Sequence, residues 1–304
     1  MSERLSNQTE FERQLQDRLV TQYFQHDSVN EVMRLNPNSG ISYAYLQREL
    51  DRRGIIKKPG VRGKSLPYAL FFFAQMVLNK LPLERLYKEY MPPSFRERMS
   101  IVTLHRIYEN LVEEQTKEED VRRYGTVLVI TPEDRDDLVM VGKDVSPPSD
   151  KYGKRFGATT LPIGFSTKYK PRLGALRVFQ QEVATQWAID SRLGPNGDIA
   201  TEVLPPHQRP FGIINIVDVR VRAFHIRLPR DYCSLNNFSS FKLRDYQWMP
   251  VSKLSCTDPD NPGLRAGIVD VVSTYENSLE RETFTLPITQ TSFLNRQLAA
   301  LASA

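Results

Sequence analysis

Residues 161–189, LPIGFSTKYKPRLGALRVFQQEVATQWAI, join a short apolar strand pattern to an amphipathic helix and decide the predicted fold. Pro171 opens the helical pattern after the polar loop that follows LPIGF. Helical spacing places one group of residues toward the core: Leu173, Leu176, Phe179, Val183 and Trp187. Another face presents Val178, Gln181, Glu182 and Thr185.

Strand patterns flank this segment on both sides. YGTVLVITP begins at Tyr124, and LVMVGK follows the acidic turn PEDRDD, which predicts a hairpin. Downstream, GIINIVDVRVRAFHIRLP predicts a long strand or a bent pair of strands, and FKLRDYQWMPVSKL predicts a closing strand-like turn. Together with the helix, these strands predict a mixed α/β fold, α/β or α+β.

The chain is predicted to have three parts. Residues 1–120 are mostly helical in pattern, with Phe11, Leu15, Leu19 and Phe24 near helical spacing. Residues 121–256 form the α/β domain. Residues 257–304 form a tail with one predicted helix in GLRAGIVDVVSTYENSLE.

Composition sets limits on the class of protein. Of 304 residues, 40% are hydrophobic and 25% charged, as in ordinary globular proteins, and no apolar run predicts a membrane span. A net charge of +5 is compatible with an anionic partner. Cys233 and Cys256 lack CxxC spacing, so neither a zinc knuckle nor a disulfide framework is expected. Glu3, Glu10 and Glu12 argue against an uncleaved transit peptide or secretory signal.

The order of these elements over residues 122–256 resembles the Nudix family. The most specific parts are the Leu161–Gly164 turn, the helix from Pro171, and WMPVSKL at 248–254. The resemblance implies an α/β/α sandwich and a box, G-x5-E-x7-R-E-U-x-E-E-x-G-U, whose glutamates bind divalent cations. This chain carries a degenerate version of that box, with Gly164, Arg177, Val178, Gln181 and Glu182 as its recognisable positions.

The box has lost most of its carboxylates. Arg177 matches and Glu182 is retained, but Val178 and Gln181 replace glutamates, and the loop glutamate falls on Lys170 or Tyr169. Because Mg²⁺ prefers hard oxygen ligands, one glutamate on the helix face is a poor site. We therefore expect no bound metal, no cofactor, no catalytic residue and no small-molecule substrate.

Two basic segments are candidates for RNA or phosphate contact. Residues 52–64, RRGIIKKPGVRGK, predict either a basic arm along a phosphate backbone or an exposed loop. Residues 151–181 contain no acid, and Tyr152, Phe156 and Tyr169 among their cations could stack on bases. The alternative is that these cations form a solvated surface or contact the acidic face of a protein. The predicted contacts are Arg52, Arg53, Lys57, Lys58, Arg62, Lys64, Lys151, Lys154, Arg155, Lys168, Lys170 and Arg172.

The long strand pattern offers few further candidates. Alternation places Val219 and Val221 on one face and Arg220 and Arg222 on the other. The two arginines could extend the basic surface or pair with carboxylates. His225 has no second histidine nearby, so it is predicted to be structural, neither a base nor a metal ligand.

The function predicted from the resemblance is that of a non-catalytic Nudix-fold protein. Nudix folds without catalytic boxes include scaffold and RNA-binding proteins, and those of the mitochondrial ribosome large subunit are similar in length, helical extension and degenerate box. This implies a mitochondrial ribonucleoprotein subunit that contacts RNA (rRNA or mRNA) and protein subunits, with an organelle RNA-processing complex as another setting. Two alternatives stay open: a Mg-dependent pyrophosphohydrolase using Glu182 with Glu202 or Asp218, and a protein-interaction adaptor.

Overall fold

The computed structural model describes residues 2–58, 67–91, 93–96, 100–105, 123–280 and 287–303. Within these ranges the chain forms two β-sheets surrounded by helices, which confirms the predicted mixed α/β class. No helix in the described ranges is long and apolar enough to cross a membrane.

The N-terminal extension is helical, as predicted. Its helices are α1 (Ser2–His26), α2 (Val29–Leu35), α3 (Tyr43–Arg52), α4 (Pro67–Asn79), α5 (Leu83–Tyr90) and α6 (Pro93–Arg96). Ser28 and Ser42 cap α2 and α3, since each hydroxyl accepts a backbone N–H from the first turn. Leu19 and Phe24 are buried, but Phe11 is 68% exposed, so the apolar stripe predicted for α1 does not reach the core at its N-terminal end.

The larger sheet has five strands in the order β4-β1-β6-β5-β8. Its strands are β1 (Arg123–Pro132), β4 (Ile163–Ser166), β5 (Gly212–Ile216), β6 (Val219–Leu228) and β8 (Ile288–Thr291). β1 pairs parallel with β6 and antiparallel with β4. Val127 and Val129 of β1 enter one core, while Leu128 and Ile130 enter the other. This burial on both faces explains the continuous apolar run of β1.

The predicted hairpin of β1 with β2 (Leu138–Asp144) is wrong. β2 lies in a second sheet, between β3 (Thr159–Thr160) and β7 (Leu243–Pro250). Both edges of β1 are taken by β4 and β6, so the chain leaves that sheet after Pro132. By contrast, β5 and β6 do form the predicted strand pair, joined by a tight turn in which Val217 has φ 52°.

The single amphipathic helix predicted from Pro171 to Ile189 is two helices, α7 (Pro171–Glu182) and α8 (Thr185–Ile189). The break at Val183 and Ala184 allows backbone pairing with Ser239, whose N–H donates to the Val183 carbonyl at 2.8 Å. Thr185 therefore does not continue the face of Val178 and Glu182; its hydroxyl instead donates to carbonyls at the end of α7.

The C-terminal tail contains more than the one predicted helix. That helix is present as α11 (Ile268–Leu279), and β8 and α12 (Phe293–Ser303) follow it. β8 pairs with β5, so the tail provides an edge strand of the larger sheet. Two short helices, α9 (Asp198–Val203) and α10 (Val251–Ser255), precede α11 in the chain. The domain boundary at residue 256 stays a prediction.

Candidate functional site

Helix α7 carries the residues of the degenerate box and is buried from Gly174 to Glu182. On one side it approaches the larger sheet so closely that a Cβ at Gly174 would lie 2.6 Å from the Cβ of Ser166. The exposed box face predicted from the sequence is thus absent: Val178, Gln181 and Glu182 are all buried. The amphipathic interpretation was wrong because this face packs against β4, where Val178 lies close to Gly164 and Glu182 accepts the Ile163 N–H.

The extension covers α7 and α8 through both polar and apolar contacts. The Gln180 amide donates to the Gly54 carbonyl at 2.9 Å, and its oxygen accepts the Ile56 N–H at 3.0 Å. Leu19, Val20, Tyr23 and Phe24 of α1 share a buried cluster with Ala188 of α8. The extension is thereby part of the folded core around the box helix.

Arg177 is held by a residue of the extension. Its Nη2 donates to both carboxylate oxygens of Asp27 at 2.8 and 2.7 Å, and its Nη1 donates to the Phe165 carbonyl at 3.0 Å. Asp27 follows α1 with φ 51°, in the left-handed region that is costly for a residue with a side chain. The surrounding contacts therefore specify this backbone conformation.

Two lysines also face the carboxylate of Asp27. Lys242 Nζ lies 3.4 Å from Asp27 Oδ2, and Lys58 Nζ lies 3.6 Å from the same oxygen. Burial alone would raise the pKa of Asp27, but Arg177, Lys242 and Lys58 together hold it below its usual value. We refer to Asp27, Arg177, Lys242 and Lys58 as the Asp27 cluster.

Glu182, the retained acid of the box, is also engaged inside the protein. It accepts the Ile163 N–H at 2.8 Å. Burial raises its pKa, and the positive charges of Lys242 and Arg265 oppose that rise. Arg265 in turn lies 3.2 Å from Asp144. The retained glutamate therefore sits among cations and a backbone donor.

These residues do not fit the divalent cation that the Nudix resemblance implies. Mg²⁺ is bound through carboxylates together with substrate phosphates. Among the described residues, no three acidic, histidine or cysteine side chains gather into a group that could hold a metal. Glu202 is exposed on α9. Asp218, the residue before β6, has its carboxylate 3.8 Å from the guanidinium of Arg123, the first residue of β1.

A basic and aromatic surface forms where β1 and β6 begin and β4 ends. Arg123 donates to the Tyr152 hydroxyl at 3.1 Å and lies 5.4 Å from the centroid of the Phe165 ring. Lys151 lies 4.7 Å from the Tyr152 ring centroid. We call this surface the basic–aromatic rim and define it by Arg123, Lys151, Tyr152, Phe165, Lys168, Tyr169 and Arg222.

The rim continues along the loop that leads into α7. Arg222 donates to the Lys168 carbonyl at 2.8 Å and stacks over the Tyr124 ring at 5.1 Å. Tyr169 is 78% exposed, and Lys168 lies 5.8 Å from its ring centroid. Arg155, Phe156 and Lys170 are likewise exposed. Of the cations predicted between residues 151 and 170, Arg155 and Lys170 are exposed, and Lys151, Lys154 and Lys168 are partly buried.

The basic arm predicted at residues 52–64 is paired with acids over its described part. Arg53 is buried and binds Glu49, Asp17 and the Ile189 carbonyl, so its prediction as an RNA contact is wrong. Arg52 pairs with Glu49, Lys57 with Asp51, and Lys58 with Asp27. Arg62 and Lys64 lie outside the described residues.

Two more predicted contacts have internal roles. Arg172 donates to the carbonyls of Leu204, Pro195 and Ala200, which fixes the segment after α8 onto the start of α7. Lys154 donates to the Pro147 carbonyl at 2.7 Å. In both cases, local backbone carbonyls satisfy the cation that the sequence pattern assigned to phosphate.

His225 has contacts inside the fold, and its purely structural role stays a prediction. Its Nε2 lies 2.9 Å from the Thr131 hydroxyl and 3.2 Å from the Tyr275 hydroxyl. Burial lowers its pKa from 6.5 to about 4. It therefore helps to join β6 to helix α11 of the tail.

Sequence reasoning missed Asp27 and Lys242. Asp27 and Arg177 are 150 positions apart, and neither residue has a local pattern that identifies the other. The one available signal was the excess of cations around the box, because buried cations need an anion.

Comparisons with known proteins give similarity to solved structures alone. No family model matches the chain, and no curated protein matches it. The MutT protein from Methanosarcina mazei Go1 is 13% identical, with a TM-score of 0.35 over 52% of this chain and 96% of its own. The NUDIX domain of Shewanella oneidensis NrtR complexed with ADP ribose is 12% identical, with a TM-score of 0.33 over 52% of this chain and 88% of its own. A mutT/nudix family protein from Listeria innocua is 12% identical, with a TM-score of 0.32 over 52% and 93%.

Proposed function

We propose that the chain is a non-catalytic protein with a Nudix-like core that serves as a structural, RNA-binding subunit of a ribonucleoprotein. The observation that carries the non-catalytic part is the environment of Glu182. Its buried carboxylate accepts the Ile163 N–H, and the charges of Lys242, Arg265 and Asp144 act on it. A single buried glutamate among cations supplies neither a metal site nor an activated water.

The basic–aromatic rim supports the RNA-binding part. Its cations can neutralise phosphates, and the exposed Tyr169 ring can stack on an unpaired base. Single-stranded RNA is the partner that such a combination suits best. By the resemblance described above, the setting is a mitochondrial one: the ribosome large subunit or an RNA-processing complex.

Activity measurements test the non-catalytic part. Purified protein should show no magnesium-dependent turnover of nucleoside diphosphate derivatives or triphosphate-ended RNA. Robust turnover that Glu182→Gln abolishes would overturn the proposal and favour the hydrolase alternative.

Salt-dependent binding tests the RNA part. Affinity for a single-stranded RNA should fall as salt rises, and the double variant Lys168→Ala/Lys170→Ala should bind about tenfold more weakly. Losing two phosphate contacts should also make the slope of log affinity against log salt shallower by about 1.4.

A matched control removes the same charge elsewhere. Arg227→Ala/Arg230→Ala changes two exposed arginines near the opposite end of β6, each paired with an aspartate. This variant should bind RNA as the unmodified protein does. Equal losses in the two double variants would indicate a net-charge effect and reject the rim. A complex that survives nuclease, without RNA affinity, would favour the adaptor alternative.

A further inference from the structure

The Asp27 cluster has the composition of an anion-binding site. Arg177 presents two N–H···O contacts to one carboxylate, and Lys242 and Lys58 approach within 3.4 and 3.6 Å. Both contacts come from one nitrogen, Nη2, and ammonium groups support them. Arginine and lysine are the side chains with which proteins commonly hold carboxylates and phosphates. Here the anion is Asp27, supplied by the chain itself.

Charge in the cluster is not balanced by Asp27. Three basic side chains face one carboxylate, and burial lowers the pKa of one of them, Lys242. Uncompensated charge is costly in a partly desolvated site. A group with two negative charges would neutralise the cluster better than a carboxylate does.

Hydrogen-bond donors are also left unused on helix α7. Arg177 Nε and both polar side-chain atoms of Gln181, Nε2 and Oε1, are buried and have no hydrogen-bond partner among the described residues. These two side chains are four positions apart on α7 and so share a face. Asp27 offers two oxygens, and both already accept from Nη2 of Arg177. A phosphate group has more oxygens to offer.

The cluster has an open side. Arg177 and Asp27 are almost fully buried, but the Lys58 side chain is 45% exposed and Lys242 is 21% exposed. An anion could therefore approach along Lys58 without passing through the core.

We propose that Arg177, Lys242 and Lys58 form a phosphate-binding site that Asp27 fills in cis. While Asp27 occupies the site, it fastens the N-terminal extension onto helix α7. A phosphate group competes for the same donors. This inference is independent of RNA binding at the rim, because the two sets of residues do not overlap.

The test is a full-length Asp27→Asn variant, which keeps the side-chain shape and suits a positive φ. Without the carboxylate, inorganic phosphate should raise Tm in proportion to the logarithm of its concentration above Kd, by about 4 °C at a hundredfold excess over Kd. Sodium chloride at equal ionic strength should not. Adenosine monophosphate is a second probe: tighter binding than phosphate indicates a nucleotide source, and equal binding indicates free phosphate.

Two further variants are controls for this test. Asp245→Asn is the matched control, since Asp245 is an exposed aspartate with φ 50°; it should show no phosphate-dependent rise. Adding Arg177→Met to Asp27→Asn should abolish the rise. If Asp27→Asn does not fold, Asp27→Gly removes the carboxylate and is better suited to the backbone conformation. No phosphate-dependent rise in either folded Asp27 variant, or an equal rise in Asp245→Asn, overturns the proposal.

Discussion

The Asp27 cluster and the basic–aromatic rim contain the same kinds of cations but use them differently. In the cluster, Arg177 is buried and bound to Asp27, so its charge contributes to folding. In the rim, Lys168 and Tyr169 lie on a solvent-facing loop. Lys168 and Arg177 belong to the same acid-free stretch of sequence, residues 151–181. The comparison shows that a basic stretch predicts a binding surface only where tertiary structure leaves its cations exposed to solvent.

The largest expected effect is on the buried side of this comparison. Arg177→Met should lower the free energy of unfolding by about 3–5 kcal/mol, because it leaves Asp27 without its main partner in a desolvated site. Urea denaturation measures this loss. Unchanged stability would mean that the cluster does not fasten the extension.

Arg172→Ala should have the next largest effect. Three carbonyls lose a charged donor, which should cost about 2 kcal/mol of stability. RNA affinity at the rim should stay the same in the folded variant. Loss of RNA affinity at unchanged stability would instead indicate that Arg172 contacts RNA.

Lys168→Ala/Lys170→Ala should affect binding and not folding. Stability should change by less than about 0.5 kcal/mol, as for most surface substitutions. Fluorescence anisotropy with a labelled RNA should report the tenfold loss given above. A stability loss as large as that of Arg172→Ala would remove the distinction between the two regions.

Acid titration gives the smallest effect. Because the pKa of Asp27 is lowered in the folded state, its contribution to stability is present above its unfolded value of 3.8 and is lost as pH falls through the folded pKa. Asp27→Asn should therefore flatten the fall in stability below pH 3.8. Urea unfolding followed across this range would show an unaltered slope if Asp27 is not ionised in the cluster.

How well the sequence predicted each element depended on how local its cause was. The β5–β6 strand pair and helix α11 follow from periodicity within a few residues, and both are present. The predicted β1–β2 hairpin failed because its partners, β4 and β6, lie far along the chain. The box helix α7 was found, but its break at Ala184 depends on Ser239.

The sequence alone determined that positions 178–182 of the predicted helix carry one acid, Glu182, since Val178 and Gln181 cannot act as carboxylates in any fold. It also determined the basic character of residues 151–170. Tertiary structure decided which cations face solvent and that Asp27 binds Arg177 across 150 positions. The physical reason is that the sequence gives the chemical type of each side chain directly. The burial of a charge and its pairing depend on distant segments that meet only when the chain folds.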